Sequence, residues 1–213
     1  ELRAYKGIPK DGPVSREQAK KLIHGYCACV TFTDAMIGEI LKGLKERGLL
    51  TDTYVVLAGD HGWQLEEHRQ WCKNRNFNDS MQAPLVVYGP GIRRGVRADA
   101  LAEYVDLYPT FCDMAGAEKP SHLQGDSLLP FLQGKTDETK DAVYCRTRYA
   151  DSVITGRYCY TELRDKDGAM TARMLYDHVK DPAENVNIAE MPDNATLVEK
   201  LSGMIADHLA SLE

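Results

Sequence analysis

Thr53-Tyr54-Val55-Val56-Leu57-Ala58-Gly59-Asp60-His61-Gly62-Trp63 is the stretch on which the fold turns. Residues 53–59 form an unbroken run of β-branched, aromatic and aliphatic side chains closed by glycine, the pattern of a buried strand. Asp60 and His61 follow at once. A carboxylate and an imidazole at the carboxyl end of a parallel strand lie where open α/β sheets place their ligands. An Asp beside a His suits a divalent metal, and Lys73, twelve residues after His61, suits an anionic group held by that metal. The competing reading of so short a tripeptide is a strand-ending turn with solvated polar side chains.

The flanks extend the α/β pattern. Ser15 followed by Gln18 reads as a capping box. Apolar residues then recur at Leu22, Tyr26, Cys29, Val30, Met36, Ile37, Ile40, Leu41 and Leu44, a helical period, with Gly48 as the stop. The predicted helix of about 30 residues would be about 45 Å long, suited to lying along a large sheet. Leu49 to Asp52 links it to the strand. Pro84 to Tyr88 is a second apolar strand ending in Gly89-Pro90-Gly91, and a helix is expected over Asp106 to Ala115 with Gly116 as its stop. This reads as the second half of an α/β sandwich, residues 1–116. From Ala117 the character changes: linker-like segments at Lys119-Pro120 and 134–138 precede short β-rich runs over 142–149, 152–155, 157–164 and 173–176. Turn residues separate the runs, which predicts an antiparallel sheet. A final helix opens at Asn194 or Thr196, with Leu197, Leu201, Met204, Ile205, His208 and Leu209 on one face. Residues 117–213 are thus expected to form a C-terminal subdomain of antiparallel sheet plus helix.

With 213 residues and 43% hydrophobic content the chain can bury a core. A net charge of −6 argues against nucleic acid as a main partner. No apolar run approaches the roughly 20 residues that span a bilayer. The six cysteines lack CxxC spacing and make no zinc motif; free buried thiols are the default reading. Asn194-Ala195-Thr196 matches a glycosylation sequon, a weak signal by itself.

DHGWQLEEHRQWCK over 60–73, continued by NRNFNDSMQAPLVVYGPG to Gly91, resembles the C-terminal half of the sulfatase family and, within it, the iduronate-2-sulfatase-like branch. The positions that carry the likeness are Asp60, His61, Gly62, Trp63, Leu65, Glu67, His68, Trp71, Lys73, Asn76, Phe77, Pro84, Leu85, Pro90 and Gly91. Glu66 and Arg69 depart from the pattern, standing where the family commonly has glycine. The likeness continues in the long helix at 25–38, in Val105-Asp106-Leu107-Tyr108-Pro109-Thr110, in the turn Leu123-Gln124-Gly125-Asp126-Ser127-Leu128, and in Leu175-Tyr176-Asp177 with Asp181, Pro182, Glu184 and Asn187.

The resemblance implies an alkaline-phosphatase-like α/β sandwich and hydrolysis of sulfate esters, on a sulfated saccharide such as a glycosaminoglycan. It implies a divalent metal, by family Ca2+, with Asp60 as a ligand and His61 as ligand or neighbour. It makes Lys73 a contact to sulfate oxygen, and places Trp63 and His68 at the wall of the substrate pocket. It also requires a formylglycine made from the Cys or Ser of a C/S-x-P-x-R motif. No cysteine or serine of this chain stands in that motif, so the chain carries no catalytic nucleophile. The chain opens in the polar stretch Lys6 to Pro13 without Met or signal peptide, and is expected to be the C-terminal part of a sulfatase, inactive alone, whose partner is the N-terminal half. Periplasmic, secreted or lysosomal placement follows from the resemblance only. Two other readings stay open: a phosphodiesterase or phosphonate hydrolase of the alkaline phosphatase superfamily, and a non-catalytic anion-binding or interaction module.

Each candidate also has a bland reading. His61 is otherwise a strand-end histidine bonded to backbone, Lys73 a solvated lysine, Trp63 a core tryptophan and His68 a loop-stabilising hydrogen-bond partner. Glu67 is expected to bond loop backbone. His24 is expected to be structural or solvent-facing, and Arg146, Arg148, Arg157 and His122 to be solvated.

Overall fold

The computed structural model describes residues 1–212. The chain forms two compact units, Glu1–Asn74 with Asp79–Ile92, and Arg75–Asn78 with the chain from Arg93 onward.

In the first unit, α1 spans Arg16–Glu46, 31 residues, and Ser15 accepts a hydrogen bond from the Gln18 amide. Gly48 sits just past its end at φ +68, the left-handed position that ends helices without steric cost to glycine. The strand β1, Val55–Ala58, follows, then β2, Gln64–Leu65, and β3, Trp71–Cys72, a short antiparallel ribbon. One helical turn, α2 (Asn78–Met81), leads to β4, Leu85–Tyr88. β1 and β4 pair with Val55 opposite Tyr88 and Ala58 opposite Leu85. The pairing is antiparallel, which corrects the expectation that β1 ends as a parallel strand. Among the described residues only these two strands pair in this sheet. A ribbon of four-residue strands cannot cover a helix of eight turns, so the stripe of α1 expected to lie along a sheet is open. Val30, Met36 and Ile40 of that stripe are exposed, as are Phe32 elsewhere on the helix and Leu57, Leu85 and Val86 on the strands.

In the second unit, α3 spans Leu107–Ala115 and ends at Gly116 (φ +64). A single turn, α4, covers Leu129–Leu132. Four strands follow as a meander: β5 (Ala142–Thr147), β6 (Ala150–Thr155), β7 (Tyr158–Arg164) and β8 (Met170–Asp177), all antiparallel in sequence order. The closing helix α5 spans Ala195–Ala210. Val198, Leu201 and Ile205 of α5 meet Val153, Tyr160 and Leu175 of the sheet in a solvent-free core. Full burial of each such side chain is worth about 1.5–3 kcal/mol, which is why the helix stays on the sheet. The sequon asparagine is committed to this packing: Asn194 Nδ2 donates to the Ile188 carbonyl at 2.8 Å.

The expected boundary at 116 falls inside the second unit. Asp106, fully buried, accepts from the amides of Glu103 and Asp126 and from Lys140 at 2.8 Å, while Glu103 accepts from the Tyr144 amide of β5. Burial alone would lower the Lys140 pKa, but the carboxylates of Asp106 and Glu103 outweigh it and hold the pKa above the ordinary lysine value. Gly125 makes this junction fit: a Cβ there would lie 2.1 Å from the Val105 carbonyl oxygen. No described helix is long and apolar enough to cross a membrane.

Candidate active site

β1 ends at Ala58, and the backbone then turns through Asp60-His61-Gly62. Gly62 is fixed by crowding. A Cβ on it would sit 2.1 Å from the Asp79 carbonyl oxygen and 2.6 Å from that of Gln82. Its amide donates to the Ser80 carbonyl at 3.0 Å. The turn is therefore held against the segment that enters β4, and Asp60 and His61 are aimed by backbone contacts.

The Asp60 side chain is 87% exposed, so its carboxylate is open to a ligand. His61 is partly buried, with Nδ1 2.7 Å from the Gly62 carbonyl oxygen. That oxygen can only accept, which puts the ring proton on Nδ1 and leaves the lone pair on Nε2. Nε2 receives Lys73 Nζ at 2.6 Å, and Asp60 Oδ2 lies 3.4 Å from the same nitrogen. Asp60, His61 and Lys73 thus converge on one point. Trp63 stacks on His61 (centroids 5.8 Å, 27°) and on Tyr26 of α1 (6.2 Å, 23°). The Trp63 ring braces the imidazole and Tyr26 backs that ring from α1; the place of Tyr26 on the apolar stripe of the helix is its only signal in the sequence.

Lys73 comes back to His61 because β2 and β3 form a ribbon that folds the intervening residues over. Gln64 pairs with Cys72 and Leu65 with Trp71. At its tip the Glu66 amide donates to the Gln70 carbonyl at 3.0 Å, and the Glu67 carboxylate accepts from the Leu65 amide, as expected of it. The tip is conformationally costly. Glu66 (φ +95), His68 (φ +53), Arg69 (φ +58) and Cys72 (φ +70) all occupy the left-handed region without being glycine. Glu66 and Arg69 are the two departures from the glycine pattern, so the backbone keeps the glycine-type conformation though the residues differ. His68 is half-buried and lies 3.4 Å from Gln64 Nε2 through Nδ1.

Two oxygen or nitrogen donors, Asp60 and His61, are too few for calcium, which takes six to eight oxygen ligands. The carboxylate fits the hard-ligand chemistry of such an ion, so these residues suit part of a donor set. His24 and His122 are exposed. Arg146 and Arg157 are committed to ion pairs, with Asp151 at 2.6 Å and Asp177 at 2.6 Å, and Arg148 lies over the Tyr149 ring. All six cysteines are free.

The comparisons with known proteins bear on this geometry. Residues 4–117 match the family described as Sulfatase, and residues 66–210 match N-sulphoglucosamine sulphohydrolase, C-terminal. Arylsulfatase K of Homo sapiens is 32% identical over 210 residues, covering 91% of this chain and 39% of its own length. The chain therefore spans about two-fifths of the length of such relatives. Among solved structures, a 2-O GAG sulfatase aligns with a TM-score of 0.82 at 28% identity, covering 92% of this chain and 44% of its own. The phosphonate monoester hydrolase of Silicibacter pomeroyi aligns with a TM-score of 0.80 at 26% identity, covering 93% and 43%. The fold is part of an alkaline-phosphatase-like α/β sandwich with a C-terminal subdomain of antiparallel sheet and helix. The matches run through the β1 turn, the ribbon bearing Lys73 and the closing sheet alike, and the chain belongs to the sulfatase family.

Proposed function

We propose that Asp60, His61 and Lys73 are one side of a sulfate-ester hydrolase site, acting on a sulfated sugar of the iduronate-2-sulfatase type. The observation that carries the reading is the convergence of a lysine ammonium, an imidazole and an open carboxylate at the end of β1, with Lys73 2.6 Å from His61. A sulfuryl group is a compact tetrahedral anion, and a lysine supplies a point charge with three donors to it. Sulfatases as a family work with a formylglycine and a divalent metal. Bound beside Asp60, a Ca2+ ion would supply charge neutralisation without proton transfer. Lys73 would leave His61 Nε2 for a sulfate oxygen, and the freed Nε2 would accept a hydrogen bond from a group in the site. Trp63 keeps His61 in register, and its edge, with His68, walls the sugar side. The 2-O GAG sulfatase among the structural relatives supports a glycosaminoglycan substrate.

The reading applies to a protein that joins these residues to a nucleophile-bearing N-terminal part. The open apolar faces of α1, β1 and β4 support such a partner, because they are the surfaces a longer sheet would cover. The phosphonate hydrolase relative favours phosphonate monoesters as the second reading. The test is sulfate release from 2-O-sulfated uronate disaccharides and turnover of a phosphonate monoester, with intact mass taken on the same sample. A formylglycine-bearing species whose sulfate release is lost in Asp60→Ala and Lys73→Ala supports the proposal. Faster phosphonate turnover moves it to the second reading. A single 23.8 kDa species with no turnover of either overturns activity for this chain and leaves a binding module.

A further inference from the structure

We infer that Cys159, His178 and Glu184 form a binding site for a borderline-soft divalent cation of the Zn2+ type, separate from the Asp60 turn. Their ligand atoms, a thiol sulfur, an imidazole nitrogen and a carboxylate oxygen, all lie within 4.8 Å of one another. Thiolate, imidazole and carboxylate together are the donor set that selects zinc over calcium or magnesium. The sequence hides the site, because the ligands come from three places with no motif spacing.

The fold preorganises it. Cys159 is on β7 opposite Tyr176 of β8, which puts its side chain beside the exit of β8. His178 is the next residue after β8, and its amide donates to the Arg157 carbonyl at 2.8 Å. The loop then turns on Asp181, whose amide donates to the Asp177 carbonyl at 2.7 Å and whose carboxylate accepts from the Val186 amide at 2.8 Å. Glu184 is held at φ +53 without being glycine, a conformation that costs energy and that turns its side chain into the fold. Cys159 and Glu184 are 1% and 2% exposed, whereas the His178 side chain is 20% exposed. An ion thus has a route past His178, and water on that side would complete a tetrahedron of three protein ligands and one open position.

His178 Nε2 lies 2.8 Å from Glu184 Oε1, and Glu184 Oε2 accepts from the Asn78 amide at 2.8 Å. In the metal-free fold that pairing joins the histidine to the carboxylate, and the Cys159 thiol hydrogen-bonds with the same Glu184 and with Thr161, so the three ligand groups already face one another. Ligands at about 2.0–2.3 Å from a tetrahedral ion stand roughly 3.5 Å apart, a distance that small side-chain rotations reach. On binding, the Cys159 S–H bond breaks, its proton goes to solvent, and the sulfur pair forms the bond to the metal. Without the ion the thiol stays protonated, since burial pushes its pKa well above the ordinary thiol value.

Co2+ alone is the probe. The chain is stripped with a chelator in a Cys27→Ser/Cys29→Ser background, which removes the exposed thiols. The expected result is one equivalent of Co2+ giving a near-ultraviolet thiolate charge-transfer band and tetrahedral visible bands, discharged by one equivalent of Zn2+. Cys159→Ala abolishes the ultraviolet band. His178→Gln, at the more exposed ligand, melts as the parent does without metal but binds Zn2+ at least about tenfold more weakly. Asp60→Ala leaves the band in place, which separates this site from the sulfatase reading. Absence of the band in the parent, its persistence in Cys159→Ala, or unchanged Zn2+ affinity in His178→Gln overturns the inference.

Discussion

Lys73 Nζ lies 2.6 Å from Nε2 of His61, although twelve residues separate them. The lysine donates into the imidazole lone pair, so a cation stands at the point where the proposed function brings an anionic sulfate group. In a complete enzyme, Lys73→Ala should lower kcat/KM by about 10²- to 10³-fold, the usual cost of one donor to developing negative charge. Lys73→Arg should recover part of it. Steady-state sulfate release, with circular dichroism showing an unchanged melt, checks this; equal kcat/KM in Lys73→Ala would make it a surface lysine.

Glu66 and Arg69 are held in the left-handed region at φ +95 and φ +58. Glycine carries no Cβ penalty there, whereas other residues lose roughly 1–2 kcal/mol. Glu66→Gly and Arg69→Gly are each expected to stabilise the folded chain by about 1 kcal/mol, less any entropy gained by the unfolded chain. Urea denaturation measures this, and a loss of stability in both variants would show that the side chains hold the ribbon tip.

Gly62 and Gly125 present the opposite case. A Cβ at either would lie 2.1 Å from a carbonyl oxygen, that of Asp79 or of Val105. Backbone on both sides must shift, so Gly62→Ala and Gly125→Ala should each cost about 3 kcal/mol. Gly62→Ala should also displace His61, which a changed distance from His61 to Lys73 in a crystal structure would reveal.

Lys140 neutralises Asp106 and Glu103 at 2.8 Å each, with Asp106 fully buried. Truncating the cation strands a buried carboxylate, and Lys140→Ala should destabilise by about 3–5 kcal/mol. Chemical denaturation at neutral pH is the check. A loss under 1 kcal/mol would mean that water reaches Asp106.

The Arg157 guanidinium holds the Asp177 pKa down to about 2, from an ordinary value of 3.8. A carboxylate with a depressed folded pKa contributes stability that is complete above the unfolded value and disappears as pH falls through the folded one. Stability should therefore decline between about pH 4 and pH 2 in the parent and more shallowly in Asp177→Asn. Acid titration followed by circular dichroism reads both curves, and parallel curves would exclude this pair from acid unfolding.

Much of this molecule is local and was legible in the sequence. The apolar period from Leu22 to Leu44, bounded by Ser15 and Gly48, specifies α1 because capping and helical spacing act within a few residues. The runs between turn residues specify the β5–β8 meander for the same reason, although their ends moved by up to three residues. The Asp60-His61-Gly62-Trp63 motif and Lys73 marked the candidate site. What the sequence did not show depends on neighbours far along the chain. The antiparallel pairing of β1 with β4, the bracing of Trp63 by Tyr26, the clamp of Asp106 on Lys140, and the meeting of Cys159, His178 and Glu184 are all decided by which backbone passes close to which. Hydrogen-bond registry and burial set those distances, and neither has a signature in residue spacing.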